Sequence, residues 1–126
     1  MSDPAERHLP RQAPIEAYGA GGFRFGELSH KGSLLALPTG IWAWPPQRAA
    51  EIDVASLSRV FSEKAEIGIL LIGCGREPVL LSAPLRERLR AEGISFDVMP
   101  TRAAASTYNV LLSEGRRVAA ALIAVE

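Results

Sequence analysis

The strongest constraint on the fold is the run IGILLIG at residues 67–73, which is apolar at both odd and even positions. Successive side chains of a β-strand point to opposite faces of its sheet, so a strand of this composition must be covered on both sides. Strands buried in this way are typical of parallel sheets with helices packed above and below them. Residues 67–73 therefore predict a central strand of a layered α/β fold.

Helices and strands alternate after this run. Ser82 and Gly93 have the positions of cap residues at the two ends of a helix whose leucines form one apolar stripe. The pattern predicts, in order, a helix at residues 82–93, a strand at 94–99, a helix at 101–115 and a strand at 116–125. Strands that alternate with helices through short connections favour a largely parallel sheet with helices on its faces.

The N-terminal half has a different rhythm. Residues 15–44 alternate short β-branched or aromatic segments with glycines, which is typical of an antiparallel meander. Pro38, Thr39 and Gly40 suit a tight turn between the strands SLLAL and IWAW. The fold class predicted is α/β with three layers, a largely parallel but mixed central sheet, and an additional N-terminal antiparallel β layer.

Length and charge exclude several functional classes. A chain of 126 residues fits a single domain, which we place at residues 15–126 after a polar, proline-rich and disordered lead-in at 1–14. Basic and acidic residues balance at 14 each, so we expect no nucleic-acid partner. The chain has one cysteine and two histidines without metal-ligand spacing, so we expect no metal and no cofactor. No secretory signal or transmembrane segment is evident, which favours a cytoplasmic protein.

The first candidate site is the sequence Gly73, Cys74, Gly75, Arg76, which follows the central strand. Open α/β sheets bind ligands at the carboxyl ends of their parallel strands. The segment does not open directly into a helix, so it is not a dinucleotide fingerprint, and no phosphate-binding loop motif occurs. Cys74 is either a nucleophile, with Arg76 as the nearby cation, or a small buried thiol packed beneath the next helix; we favour the buried thiol.

The second candidate site is the loop at residues 99–105, which we expect beside the first. Thr101 as a helix cap, Arg102 and the free main-chain N–H groups of the helix start are suited to a carboxylate or phosphate. An ordinary cap with a solvated arginine is the simpler interpretation. Together the two loops predict a crevice for an anionic ligand, with Arg76 and Arg102 as its cations.

Two further residues of the last helix are candidates for a scaffold or pocket wall. Tyr108 shares a helical face with Thr101, so we expect it to pack inward with its hydroxyl group on a partner at the margin of the core. Asn109 lies too far along the helix to share a ligand with Thr101, and we expect its amide to bind the backbone of a neighbouring loop. Trp42 and Trp44, in the hairpin, are either interface anchors or core residues.

The segments AYGAGGFRFGE, HKGSLLALPTGIWAW, LLIGCG and GISFDVMPTRAAASTYNVLLSEGRRVAAAL resemble, in this order, a family of small bacterial and archaeal domains. That family also includes the mitochondrial assembly factor 3 of respiratory complex I. The resemblance implies a three-layer fold with a mixed sheet and an added β layer, and no established reaction. By the same resemblance, the family's pattern falls on residues with pocket or scaffold roles: Gly73, Gly75, Thr101, Tyr108 and Asn109.

We therefore expect a non-enzymatic interaction or assembly module linked to respiratory complex I. Its partners would be complex I subunits or assembly proteins, which the resemblance implies, and it would reach the inner membrane only through such a partner. The alternative is a small-molecule binding protein or enzyme that uses the crevice between the two loops.

Overall fold

The computed structural model describes residues 7–126 as a six-stranded sheet, a three-stranded sheet and three α-helices. The strands are β1 (Arg7–Leu9), β2 (Ala17–Gly19), β3 (Gly22–Phe25), β4 (Leu28–Lys31), β5 (Ser33–Leu37), β6 (Gly40–Trp44), β7 (Ile69–Gly73), β8 (Phe96–Met99) and β9 (Val118–Leu122). The helices are α1 (Ser58–Ser62), α2 (Ala83–Ala91) and α3 (Thr101–Ser113), and 3₁₀ turns occur at Ala49–Glu51, Ala55–Leu57 and Lys64–Glu66.

The large sheet is mixed, with the strand order β1-β6-β5-β9-β7-β8. Strand β7 is parallel to both of its neighbours, β8 and β9, whereas β5 joins β9 in antiparallel orientation. The predicted hairpin is confirmed, because Ser33–Leu37 pairs with Gly40–Trp44 across the turn at Pro38 and Thr39. This hairpin extends the central sheet itself, and β2, β3 and β4 form the separate antiparallel sheet.

Two hydrophobic cores lie on opposite faces of the large sheet. In β7, Leu70 and Ile72 enter the core that contains the leucines of α2, and Leu71 enters the core that contains α3. Phe23 and Phe25 from the small sheet also belong to the second core. The predicted three layers are therefore confirmed: α1 and α2, the central sheet, and α3 together with the small sheet.

A disordered lead-in was predicted at residues 1–14, but in the part of it that the structure describes there is a strand and a buried residue. Arg7–Leu9 forms strand β1 and pairs with β6, and Ala13 is buried in the core beneath α3. A three-residue strand is too short to show a hydrophobic period, which is why the pattern did not reveal it. Residues 1–6 lie outside the described residues, so disorder there stays a prediction.

Candidate functional site

The first predicted loop, Gly73–Arg76, does follow a parallel strand, and it lies against the start of α3. The Cys74 N–H group donates a hydrogen bond to the carbonyl of Met99 at 2.9 Å, and the Thr101 N–H group donates to the carbonyl of Gly75 at 2.8 Å. On the other side, the Ile123 N–H group donates to the carbonyl of Gly73 at 2.9 Å. The main chains of the two predicted loops are thus bound directly to each other.

Thr101 closes the space between these loops. Its side chain is fully buried; the hydroxyl group donates to the carbonyl of Ile123 at 2.7 Å and accepts the N–H group of Gly75 at 3.0 Å. The prediction that Thr101 caps α3 is wrong. Pro100, with extended backbone, occupies the cap position, so Thr101 is already the first helical residue and its side chain turns towards the sheet.

Gly73 is required for this close approach. A Cβ atom on Gly73 would lie 2.9 Å from the Cα atom of Thr101 and 3.0 Å from Cδ2 of Leu122. The first of these neighbours is backbone, which cannot move without shifting the start of α3. Gly75 has φ +107, a conformation that disfavours any residue with a side chain. The two glycines therefore allow the two loops to pack closely against each other.

Cys74 has the surroundings of a buried thiol. Its side chain is 4% exposed, and the Sγ–H group points to the carbonyl of Glu77 at 3.3 Å. Within residues 7–126, neither a histidine nor an arginine is hydrogen-bonded to Sγ. Nucleophilic chemistry requires a base or cation that stabilises the thiolate, so this geometry favours a structural role.

The two predicted cations do come together, but outside the closed loops. Arg76 and Arg102 line a surface depression of about 320 Å³, which also includes Tyr18, Gly75, Pro100, Val125 and the carboxylate-bearing Glu126. Cys74 lines a neighbouring depression of about 440 Å³, which shares Arg76 and Glu126 with the first. The predicted candidates thus divide into a sealed group, Gly73 and Thr101, and an exposed pair of arginines beside a carboxylate.

Tyr108 and Asn109 hold the N-terminal segment against α3. Tyr108 is fully buried, and its hydroxyl group donates to the carbonyl of Ala13 at 2.9 Å; burial raises the pKa of this phenol. The Ile15 N–H group donates to Oδ1 of Asn109 at 2.8 Å, and Nδ2 of Asn109 donates back to the carbonyl of Ile15 at 2.8 Å. Both hydrogen-bonding roles expected from the sequence are confirmed. Neither residue lines the depression of Arg76 and Arg102.

The tryptophans separate into one core residue and one partly exposed residue. Trp44 is 4% exposed, and its indole N–H group donates to the carbonyl of Ser56 at 2.7 Å. Trp42 is half-buried, with the Arg59 guanidinium 3.5 Å above its ring. Trp44 is thus a core residue, which was one of the two interpretations of the tryptophans, and Trp42 lies beneath the Arg59 guanidinium.

A histidine pair was missed by the sequence interpretation. His8 Nε2 and His30 Nδ1 are 3.0 Å apart, and His30 Nε2 is 3.2 Å from the carbonyl of Ser33. Because a carbonyl only accepts, His30 carries its proton on Nε2, and its Nδ1 accepts from His8. Burial lowers the pKa of both rings. No sequence signal joins them, since one lies in the supposed lead-in and the other in the small sheet.

Two further structural tests concern metals and membranes. In the part of the chain from residue 7 onward, no group of three or more His, Cys, Asp or Glu side chains is arranged to hold a metal ion. Among the same residues, none of the helices has the length and apolar character needed to cross a membrane.

The family model for "Protein of unknown function (DUF498/DUF598)" matches residues 15–123. The chain belongs to this family. An uncharacterized protein of Rhodobacter capsulatus is 37% identical over 120 residues, which are 95% of this chain and 91% of that protein.

A second relative has a named role. NADH dehydrogenase [ubiquinone] 1 alpha subcomplex assembly factor 3 of Danio rerio is 35% identical over 109 residues. The match covers 86% of this chain but only 63% of the fish protein, so the chain spans less than two thirds of the length of that relative.

A solved structure agrees in fold. The crystal structure of an outer membrane protein from Bartonella henselae has a TM-score of 0.91 and 47% sequence identity. The match covers 94% of this chain and 100% of the Bartonella henselae chain. The relatives of this chain thus include complex I assembly factors and bacterial proteins, and the Bartonella henselae structure has the same fold.

Proposed function

We propose that this protein is a non-enzymatic interaction module that takes part in the assembly of respiratory complex I. The observation that carries the proposal is the 35% identity to the fish assembly factor, over 86% of this chain. The partners would be complex I subunits or other assembly proteins. The protein would act in the cytoplasm, at the inner membrane, to which a partner would bring it.

The site geometry supports this proposal over an enzymatic one. The carboxyl ends of parallel strands are the usual place for a ligand crevice in such sheets. In this protein the hydroxyl group of Thr101 fills that place through its bonds to Gly75 and Ile123. Cys74, the residue with the greatest nucleophilic capacity nearby, is buried against the carbonyl of Glu77.

Affinity purification from the native organism tests the proposal. We expect the tagged protein, expressed at its natural level, to enrich complex I subunits or assembly proteins over an equally expressed tagged control of unrelated fold. The Cys74→Ala variant should enrich the same proteins, because the thiol has no chemical role in this account. Purification without any respiratory subunit or assembly protein would contradict the proposal.

A second candidate function is the binding of a small anion by Arg76 and Arg102. The observation in its favour is that both side chains line one depression. Titration with inorganic phosphate and with citrate should then shift the amide resonances of Gly75 and Arg102, and Arg76→Gln should abolish the shift. Arg11, which is exposed and outside this depression, provides the matched control Arg11→Gln. Unchanged resonances at millimolar anion would remove this candidate.

A further inference from the structure

Strand β8 is an outer strand of the large sheet, with β7 as its one neighbour in the strand order. The Leu70 N–H group donates to the carbonyl of Ser95 at 2.9 Å, and the Cys74 N–H group donates to that of Met99 at 2.9 Å. Main-chain groups alternate in direction along a strand, so those of residues 95, 97 and 99 point to β7. The N–H and C=O groups of Phe96 and Val98 therefore point outward.

These outward groups have no hydrogen-bond partner among residues 7–126. The segment of residues 79–81 lies nearby but is not a strand and does not pair with β8. Unpaired main-chain groups on a strand edge are a template for another extended chain. Four such groups, two donors and two acceptors, are available along Phe96 and Val98.

A groove with both apolar and charged lining residues runs beside this edge. It has a volume of about 550 Å³ and lies between residues 79–81, the end of α2 and β8. Leu80 is 76% exposed, the highest value among the exposed large hydrophobic residues of the described chain, and Val79 is 42% exposed. Phe96 and Val98 are half-buried and belong to the core on the α2 side of the sheet. A strand added to β8 would cover the apolar side chain of Leu80.

The groove also carries more positive than negative charge. Arg86 and Arg90 line it from α2, and neither forms an ion pair within residues 7–126. Arg86 is held in place, because its Nε–H group donates to the carbonyl of Leu81 at 3.0 Å. Asp97 also lines the groove, from β8, but it alternates with Phe96 and Val98, so its carboxylate lies on the opposite face of the strand from α2. The α2 face of the groove thus presents two cations beside an apolar surface.

We infer that this groove receives an extended segment of a partner protein, which adds to β8 as a further strand and carries acidic residues next to apolar ones. The inference rests on the proposed function for the class of partner. A second copy of this chain fits less well, because a two-fold contact would bring Arg86 and Arg90 of both copies to the same patch. Like charges opposed in this way destabilise a contact, whereas an acidic segment neutralises them.

The test uses the whole chain and the synthetic peptide Glu-Thr-Val-Thr-Val-Thr-Glu. Alternate residues of a strand share a face, so both glutamates and both valines of this peptide face the same way. We expect NMR titration to shift the amide resonances of Phe96 and Val98. A matched peptide with lysine at both ends should bind at least about tenfold more weakly, and Arg90→Gln should reduce the difference, whereas the exposed Arg11→Gln should not.

N-methylated peptides separate strand pairing from simple contact without altering the protein. Methylation of the valine amides and methylation of the threonine amides block opposite edges of the peptide. One of the two peptides should lose binding and the other should keep it. The inference would be overturned if the two methylated peptides bound equally well, or if the lysine peptide bound as tightly as the glutamate peptide. Resonance shifts that do not include Phe96 and Val98 would overturn it too. Shifts of these amides with protein concentration alone would assign the groove to a second copy and overturn it too.

The variant Val98→Pro distinguishes this inference from the proposed function. Its missing N–H group faces outward, so no bond to β7 is lost, and Val98→Thr is the control that keeps the N–H group. We expect a deletion strain that carries Val98→Pro to lose assembled complex I at least about fivefold relative to Val98→Thr. If Val98→Pro, present at the normal level, assembles complex I as the wild type does, the edge is not the docking site, although the assembly function stands. If deletion of the gene leaves the amount of assembled complex I unchanged, the proposed assembly function is wrong. The peptide titration still decides in that case whether the edge of β8 binds an acidic strand.

Discussion

Ile15 and Asn109 exchange two hydrogen bonds of 2.8 Å, although they lie 94 positions apart in the chain. The side-chain amide of Asn109 satisfies both the N–H group and the carbonyl of Ile15, as an adjacent strand would. One residue earlier on α3, Tyr108 binds the carbonyl of Ala13 at 2.9 Å. Helix α3 therefore joins the polar N-terminal segment to the second core.

Replacement of Asn109 by alanine should release this segment. Both main-chain groups of Ile15 lose their partner, and we expect a loss of about 1–3 kcal/mol in the free energy of unfolding. Urea denaturation measures the loss, and hydrogen exchange of the Ile15 amide should become faster. Ser113→Ala, at an exposed position of the same helix, is the control and should change little. Unchanged exchange at Ile15 would contradict the role assigned to Asn109.

Thr101→Val tests the closure of the two loops. Valine keeps the shape of the side chain but leaves the Gly75 N–H group and the Ile123 carbonyl without a partner in a buried place. We expect a loss of about 2–4 kcal/mol in the free energy of unfolding. Thr101→Ser keeps the hydroxyl group and should lose only about 1 kcal/mol. If the valine and serine variants are equally stable, the hydroxyl group does not hold the loops together.

The sequence predicts those features that depend on local periodicity. Strand β7 and the inward position of Tyr108 follow from spacing alone, and so does the expectation that Asn109 binds a backbone. The identity of its partner, Ile15, could not be predicted, because no local pattern connects such distant residues. Thr101 was misassigned because a threonine at a helix start has the same sequence signal whether it caps the helix or turns inward. Pro100, which takes the cap position, decides between the two.

Cys74 should react slowly with alkylating reagents in the folded protein. Its side chain is 4% exposed and lies against the carbonyl of Glu77, so a reagent reaches it only when the fold opens locally. We expect labelling at neutral pH to be more than about tenfold slower than in guanidinium. Mass spectrometry follows the reaction. Rapid and complete labelling of the folded protein, abolished by Arg76→Ala, would favour a reactive thiolate instead.

The histidine pair should make stability depend on pH. Burial lowers the pKa of both His8 and His30 from the ordinary value of 6.5, and the charge of His8 lowers that of His30 further. Below the ordinary histidine pKa of 6.5, the unfolded chain binds more protons than the folded chain. The contribution to stability is therefore full above pH 6.5 and falls as the pH drops below that value. Urea denaturation from about pH 7 to about pH 5 should show this decline. The double variant His8→Gln, His30→Gln should flatten it, and an unchanged slope would contradict the assignment.

The amount of assembled complex I in a deletion strain tests the central claim most directly. Native gels and NADH:quinone oxidoreductase activity of the membranes measure it, with the wild-type chain and Cys74→Ala as complementing proteins. We expect deletion to reduce assembled complex I and both complementing proteins to restore it, because the proposed assembly role requires no thiol chemistry. Membranes of the deletion strain with the full amount of active complex I would contradict the account.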